Sequence, residues 1–256
     1  MIIRLLRHIL LDLLQTRFVV VYFVLLLAAS FTLFTMETDA GKVMVSLLNI
    51  VLMVVPLVSV VYATIHFHNS YDFISLMVTQ PVRRSVVFMA EFAGTGLSLS
   101  LAFVFGTGIP MMIYQSLGDG LPLLLSGFVL SLVFVAIAFL ASVVTSDKAR
   151  AIGLALLCWF WFSVLYDGLL MLVLFLFSDY PVESMTIGLV AMNPIDLARI
   201  MVLLKLDYSA LMGYTSAFYR EFFGNAAGMM FSAAVLMVWL GVPLAGALWV
   251  FSKKDL

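Results

Sequence analysis

Six long apolar stretches limit what this chain can fold into more than any other feature of its sequence. A helix needs about 20 mostly apolar residues to cross a hydrocarbon core of roughly 30 Å. Hydrophobic residues make up 64% of the chain and charged residues 11%, against about 45–50% and about 25% in soluble domains. The sequence therefore predicts an all-α integral membrane protein with one domain over 1–256. The six predicted spans lie at 18–35, 43–67, 86–115, 121–145, 150–178 and 226–251.

The basic residues predict how these spans are oriented. An even number of spans puts both termini on one side, and most of the Lys and Arg residues fall on that side. They are Arg4, Arg7, Arg17, Arg83, Arg84, Lys148, Arg150, Lys253 and Lys254. The positive-inside rule then places both termini in the cytosol. The net charge of -1 gives no field that would attract nucleic acid.

The first segment, residues 1–17, carries leucines and isoleucines on one helical face and charged or polar side chains on the other. This pattern predicts a helix that lies in the interface of the inner leaflet. It lacks the small-residue cleavage site of a signal peptide.

A second unusual segment, residues 69–84, follows the second span on the cytosolic side. Ser70 can cap a short helix, Asp72 lies in its first turn and Pro81 ends it. The body of this helix, residues 73–78, is almost entirely apolar. Such a surface either sinks into the leaflet or is covered by another protein. Composition alone favours the leaflet.

The outer connection, residues 179–225, is too long for a simple turn. Asn193 is a natural helix cap and Pro194 fits the first helical position. Asp196 and Arg199 are three residues apart and can pair on one helical face. With a second helix predicted over 208–223, the connection should hold two short helices that lie on the outer surface or dip into it.

No motif for nucleotide binding, for a metalloprotease or for a serine hydrolase occurs in the chain. His66 and His68 are two residues apart and do not share a helical face. We therefore predict that the chain is not an enzyme and binds no metal or other cofactor. The methionines near the outer boundary are interpreted as packing residues in preference to Cu(I) ligands.

Asp167 stands out because it lies near the middle of the fifth predicted span. A carboxylate at that depth costs roughly 2.5–3.5 kcal/mol on insertion scales, so it should face protein or water. It could line a pathway or accept a proton or cation, or it could be hydrogen-bonded within the bundle. No basic residue is predicted at that depth, so we do not expect a salt bridge within one chain.

Three places in the chain resemble the membrane subunit of ABC-2-type transporters. The stretch 79–84, Thr-Gln-Pro-Val-Arg-Arg, resembles the end of the coupling helix in that class. Within the class, residues 191–200, AMNPIDLARI, and the Tyr166-Asp167 pair resemble the NosY-like subgroup. The chain departs from that pattern at 68–72 and at Glu91, where a Lys is common. The resemblance reverses the preference for the leaflet, because residues 73–78 then form the surface that docks an ATPase.

The resemblance implies a set of partners. Two copies of the chain would pair with two cytosolic ABC ATPase subunits, NosF-like, which hold the ATP and Mg²⁺. A periplasmic NosD-like protein would dock outside a bacterial inner membrane. The implied role is maturation of the copper-sulfide centre of nitrous oxide reductase, by moving a sulfur species or by working the outer partner mechanically.

The implied site residues fall into three groups. The ATPase contact is Asp72, Phe73, Ile74, Leu76, Met77, Arg83 and Arg84. Tyr166 and Asp167 lie on the pathway or dimer seam. The periplasmic partner contacts Asn193, Pro194, Asp196 and Arg199.

Two other functions remain open from the residues alone. The chain could export a hydrophobic drug, a lipid or a cation past Asp167, with ATPase activity that its substrate stimulates. It could instead be a membrane scaffold without transport, which would need no ATPase.

Overall fold

The computed structural model of the protein describes residues 10, 13–37, 39–79, 83–145, 147–177, 183–206 and 226–253. Within these ranges the regular elements are all helices, and none of these residues forms a β-strand. The helices are α1 (Arg17–Met36), α2 (Ala40–Asn69), α3 (Tyr71–Thr79), α4 (Arg84–Ile113), α5 (Leu117–Val144), α6 (Lys148–Phe160), α7 (Tyr166–Leu176), α8 (Glu183–Ala191), α9 (Pro194–Lys205) and α10 (Ala226–Lys253).

The structure confirms the all-helical class and the six spans. Six helices are long and apolar enough to cross a membrane: α1, α2, α4, α5, α6 continued into α7, and α10. Helices α2, α4 and α10 run through Pro56, Pro110 and Pro243 without ending. Most of the predicted interfacial helix 1–17 and the predicted helix 208–223 lie outside the described residues.

Helix α5 is the centre of the bundle, and α2, α4, α6, α9 and α10 all pack against it. Small residues allow the closest approaches. A Cβ atom on Gly106 of α4 would lie 3.0 Å from the Cβ of Leu26 and 3.1 Å from the backbone oxygen of Phe23, both in α1. Close packing through small residues is the usual way in which helices associate in lipid. Helix α1 and the α6–α7 span lie at the edge of the bundle and leave most of their apolar side chains uncovered within the chain.

We call the end of the bundle with the α1–α2 and α4–α5 connections the outer end, and the opposite end the cytosolic end, as the basic residues predict. Five phenylalanines join α2, α4, α5 and α10 at the cytosolic end, with ring centroids 5.1–6.3 Å apart. They are Phe67, Phe88, Phe92, Phe139 and Phe251. Such rings gain edge-to-face attraction in addition to burial, so this end of the bundle is firmly packed.

Asp147 begins the fifth span at the cytosolic end. Its Oδ1 accepts the backbone N–H of Arg150 at 3.0 Å, which is an ordinary N-cap. The backbone hydrogen bonds from Arg150 and Ala149 hold the pKa of Asp147 below its usual value. The cap therefore stays ionised and marks where the helix enters the membrane.

Candidate functional site

Helix α3 is a short helix attached to the cytosolic end of α2. Ser70 separates the two helices, donating its N–H to His66 O at 2.9 Å and accepting the N–H of Ile74 at 2.8 Å. The Ile74 side chain is 1% exposed, whereas Leu76 is 65% exposed and Phe73 is also exposed. Among its described side chains, α3 therefore buries Ile74 in the bundle and presents Phe73 and Leu76 away from it.

The residues of the predicted ATPase contact differ in how exposed they are. Phe73, Leu76 and Arg83 lie exposed, where another protein can reach them. The Ile74 side chain packs into the bundle, so it is less accessible to another protein than Phe73 or Leu76, and its contact with an ATPase stays a prediction. Met77 is partly buried against the core and Arg84 is half-buried. The Asp72 side chain lies outside the described part of the chain.

Helices α8 and α9 form a second feature, the re-entrant hairpin (residues 183–205). Its turn reaches the middle of two spans. Ala191 O accepts the indole N–H of Trp239, half-way along α10, at 3.0 Å, and Leu189 O accepts the Tyr166 hydroxyl at 2.6 Å. Backbone groups at membrane depth need such partners, since no water is there to supply them. The hairpin thus dips into the bundle. Its second helix, α9, is the one predicted to begin after Asn193, α8 was not predicted, and the other predicted helix, 208–223, lies outside the described residues.

The fifth span changes its winding where the hairpin turn meets it. Residues Trp161–Leu165 form a π-helical turn, in which the N–H of Tyr166 donates to Trp161 O. This leaves Phe162 O open to another donor, and the Asn193 side-chain amide donates to it at 2.9 Å. Single π turns inside α-helices occur frequently at functional sites.

Asn193 uses every hydrogen-bonding group of its side chain at this turn. Its Oδ1 accepts the N–H of Ile195 at 3.0 Å, which confirms the predicted cap of α9. Its Nδ2 donates both to Phe162 O and to Asp196 Oδ2, the latter at 2.8 Å. The buried Asn193 amide therefore caps α9, donates a hydrogen bond to the backbone oxygen of Phe162 in the π turn and orients the Asp196 carboxylate.

The Arg199 side chain contacts two carboxylates, those of Asp167 and Asp196. Its Nη1 lies 2.9 Å from Asp167 Oδ2 and 3.1 Å from Asp196 Oδ1. The second contact confirms the predicted Asp196–Arg199 pair. The first shows that our expectation of no salt bridge at Asp167 was wrong. A hairpin that enters the bundle from the outer side places Arg199, in its second helix, at the depth of Asp167, which a count of residues along six spans cannot show.

The burial of this mid-depth cluster (Asp167, Asp196 and Arg199) is uneven. The Asp196 side chain is only 7% exposed, and it is held by Asn193 and Arg199. Asp167 and Arg199 are more open, with 41% and 30% of their side-chain surfaces exposed. Charged groups at this depth do not face lipid. The open side of the pair must therefore meet water or another protein.

The residues of the predicted periplasmic contact differ in burial. Asn193, Pro194 and Asp196 are buried in this chain, whereas Arg199 is partly exposed, and their contact with an outer protein stays a prediction. Tyr166 is also internal, since its hydroxyl bonds Leu189 O and its side chain is buried. These residues hold the hairpin in place.

Sequence reasoning missed a further polar contact, between His66 of α2 and Glu91 of α4. His66 Nε2 lies 3.0 Å from Glu91 Oε2, and the Glu91 side chain is only 3% exposed. The signal was present, because Glu91 lies inside the predicted span 86–115 and an acid in a span is a functional-site hypothesis. We applied that rule to Asp167 alone.

Replacing Asn193 by Ala is expected to lower the free energy of unfolding by about 2–4 kcal/mol, from the lost cap and two buried acceptors left without a donor. Thermal loss of monodisperse protein in mild detergent would measure the effect as a lower transition temperature. Asn193→Ser is the matched control, since Ser retains the cap and loses only the donated bonds. Equal transition temperatures for Asn193→Ala and the wild type would contradict the described role of the amide.

Comparison with known proteins agrees with this architecture. The family model for ABC-2 family transporter proteins matches residues 73–256, which run from α3 to the end of the chain. Two curated proteins, each described as a probable ABC transporter permease protein NosY, are 27% identical to it. The one from Pseudomonas aeruginosa aligns over 86% of this chain and 82% of its own length, and the one from Stutzerimonas stutzeri over 85% and 82%. With a match to that family model over most of its length and six apolar helices long enough to span a membrane, the chain belongs to the ABC-2 transporter family and is a permease subunit.

Proposed function

We propose that a separate cytosolic ABC ATPase docks on α3 and drives this permease. The single observation that carries the proposal is the division of α3 into a buried anchor, Ile74, and the exposed apolar side chains of Phe73 and Leu76. A helix held on one side and apolar on the other is suited to a helix-in-groove contact. Docking of a cytosolic ATPase on α3 requires that end of the bundle, and with it both termini, to lie in the cytosol, and we propose that the chain lies in a bacterial inner membrane.

We further propose that two copies of the chain assemble, with the α6–α7 span at their seam. This span is the least covered of the six within one chain. It also carries Asp167, whose partly exposed ion pair with Arg199 needs surroundings other than lipid. A second copy, or a water-filled pathway between copies, supplies them.

The similarity to proteins described as NosY supports the specific biological role. We propose that the complex serves maturation of the copper-sulfide centre of nitrous oxide reductase, together with a periplasmic NosD-like partner. Arg199 already contacts two carboxylates, so it is poorly placed to bind an anionic sulfur species. This favours mechanical work on the outer partner over passage of an anion through the mid-depth cluster.

One observation supports an alternative cargo. The partly exposed Asp167 carboxylate could take a cation on its way through an ABC-2 exporter. That function predicts ATPase stimulation by the cargo and no dependence on a large outer protein. A scaffold without transport is the remaining alternative, and it would leave the exposed side of α3 without a role.

The test is purification of the tagged chain from its native membrane in mild detergent, with mass spectrometry of the proteins that accompany it. We expect an ABC ATPase and a periplasmic protein. In a strain that lacks the chain, the reductase should be made with a reduced copper content. An ATPase without the periplasmic protein, and a reductase with normal copper, would favour the exporter. A chain that carries no ATPase in several detergents would overturn the docking proposal.

A further inference from the structure

The His66–Glu91 contact lies directly below the junction of α2 and α3. His66 is the residue whose backbone oxygen accepts the N–H of Ser70, and the Ser70 hydroxyl lies 3.4 Å from His66 Nε2. Glu91 belongs to α4 and accepts from the same imidazole nitrogen when it is ionised. The His66 side chain thus connects Ser70, the first residue after α2, to Glu91 of α4.

Other contacts gather at the same junction. The Tyr62 ring stacks on His66 at 5.9 Å and on Phe18 of α1 at 4.7 Å. The Lys148 ammonium at the start of α6 donates to the Asn69 side chain at 2.7 Å. The stacking and the exposed Lys148–Asn69 bond tolerate sliding and rearrangement. The His66–Glu91 bond is directional and shielded from water, with 17% and 3% of the two side chains exposed.

We propose that His66 and Glu91 are positioning residues that transmit movement of α3 into α4. The inference rests on the proposed function, because it takes the ATPase as the source of that movement. Ile74, the buried side chain of α3, makes an apolar contact with the bundle, and such a contact resists rotation weakly because it is non-directional. A buried polar bond to α4 fixes both distance and angle. Helix α4 packs along α1 and α5 and ends at the outer end, so its displacement reaches the far side of the membrane.

The experiment measures whether nucleotide on the cytosolic side changes the outer end of α4. A cysteine replaces Met112, an exposed residue near that end, in a Cys158→Ala background that removes the single native cysteine. The rate of maleimide labelling is compared in the purified complex without nucleotide and with ATP plus orthovanadate. We expect a severalfold change in rate with the wild-type pair.

The double variant His66→Phe/Glu91→Leu replaces both partners by apolar groups, which is close to neutral for folding. We expect it to retain the ATPase and to hydrolyse ATP, while the nucleotide-dependent change at position 112 is lost. Glu91→Gln keeps an acceptor in the same place and should retain the change. Thr95→Val is the matched control, since Thr95 is a buried polar residue one turn further along α4.

Three results would overturn the inference. One is an unchanged response at position 112 in the double variant, and another is the absence of any response in the wild-type complex that hydrolyses ATP. Loss of the bound ATPase in the double variant would also overturn it, because the pair would then serve docking. If the wild-type chain binds no ATPase at all, the proposed function fails, and that failure is visible before any variant is made.

Discussion

Leu76→Glu is expected to give a normally inserted chain that no longer holds its ATPase. Among the described side chains of α3, Leu76 is the most exposed large apolar one, and a carboxylate there would be buried in an apolar contact without a partner. Loss of a central interface residue costs about 2 kcal/mol or more, which corresponds to at least about thirtyfold weaker binding. The measurement is the amount of ATPase that co-purifies per permease in mild detergent.

A matched control uses the same charge at a neighbouring site. Ser85 is exposed at the start of α4, outside α3, and a carboxylate in the first turn of a helix is favourable. Ser85→Glu should therefore carry a full amount of ATPase. Equal co-purification with Leu76→Glu and with the wild type would refute docking on α3 and support the scaffold alternative.

Arg199→Met is expected to be the most destabilising single change in the membrane interior that we consider. It leaves the partly exposed Asp167 and the buried Asp196 without their cation, and leaving a buried charge without its partner typically costs about 3–5 kcal/mol. Asp167→Asn should be much milder, because Arg199 still contacts Asp196 at 3.1 Å. We expect the Asp167→Asn chain to fold and form dimers while its function is impaired.

The yield of monodisperse protein from size-exclusion chromatography in mild detergent measures these effects. The uncharged triple variant Asp167→Asn/Asp196→Asn/Arg199→Met should recover most of the yield lost in Arg199→Met, since it leaves no charge without a partner. If the triple variant is as poor as the single one, Arg199 stabilises the bundle through its packing and not through its charge. Normal function in Asp167→Asn would make the acid a structural residue only.

The features that could be predicted from the sequence are those that depend on residues close together in the chain. The six spans follow from local composition, because lipid requires about 20 apolar residues in a row. The cap at Asn193 is equally local, with its acceptor and the N–H of Ile195 two residues apart. Both predictions are confirmed.

The contacts that were missed join residues far apart in the chain. The Asp167–Arg199 pair spans 32 residues and the His66–Glu91 pair 25. Arg199 was placed at the outer surface because no periodicity in 179–225 encodes the depth to which a hairpin returns. That depth depends on the partners of its turn, which are the carbonyl of a π turn and the indole of Trp239.

The order in which the mid-depth cluster is made has a consequence for biogenesis. Asp167 leaves the ribosome 32 residues before Arg199, and at about 5–20 residues per second this is a delay of roughly 2–6 s. During that interval the fifth span holds an acid whose counter-ion does not yet exist. The indole that fixes the hairpin turn comes later still, with the last span. Insertion of this chain must therefore keep the fifth span within reach of the translocation machinery until the hairpin has folded back against it.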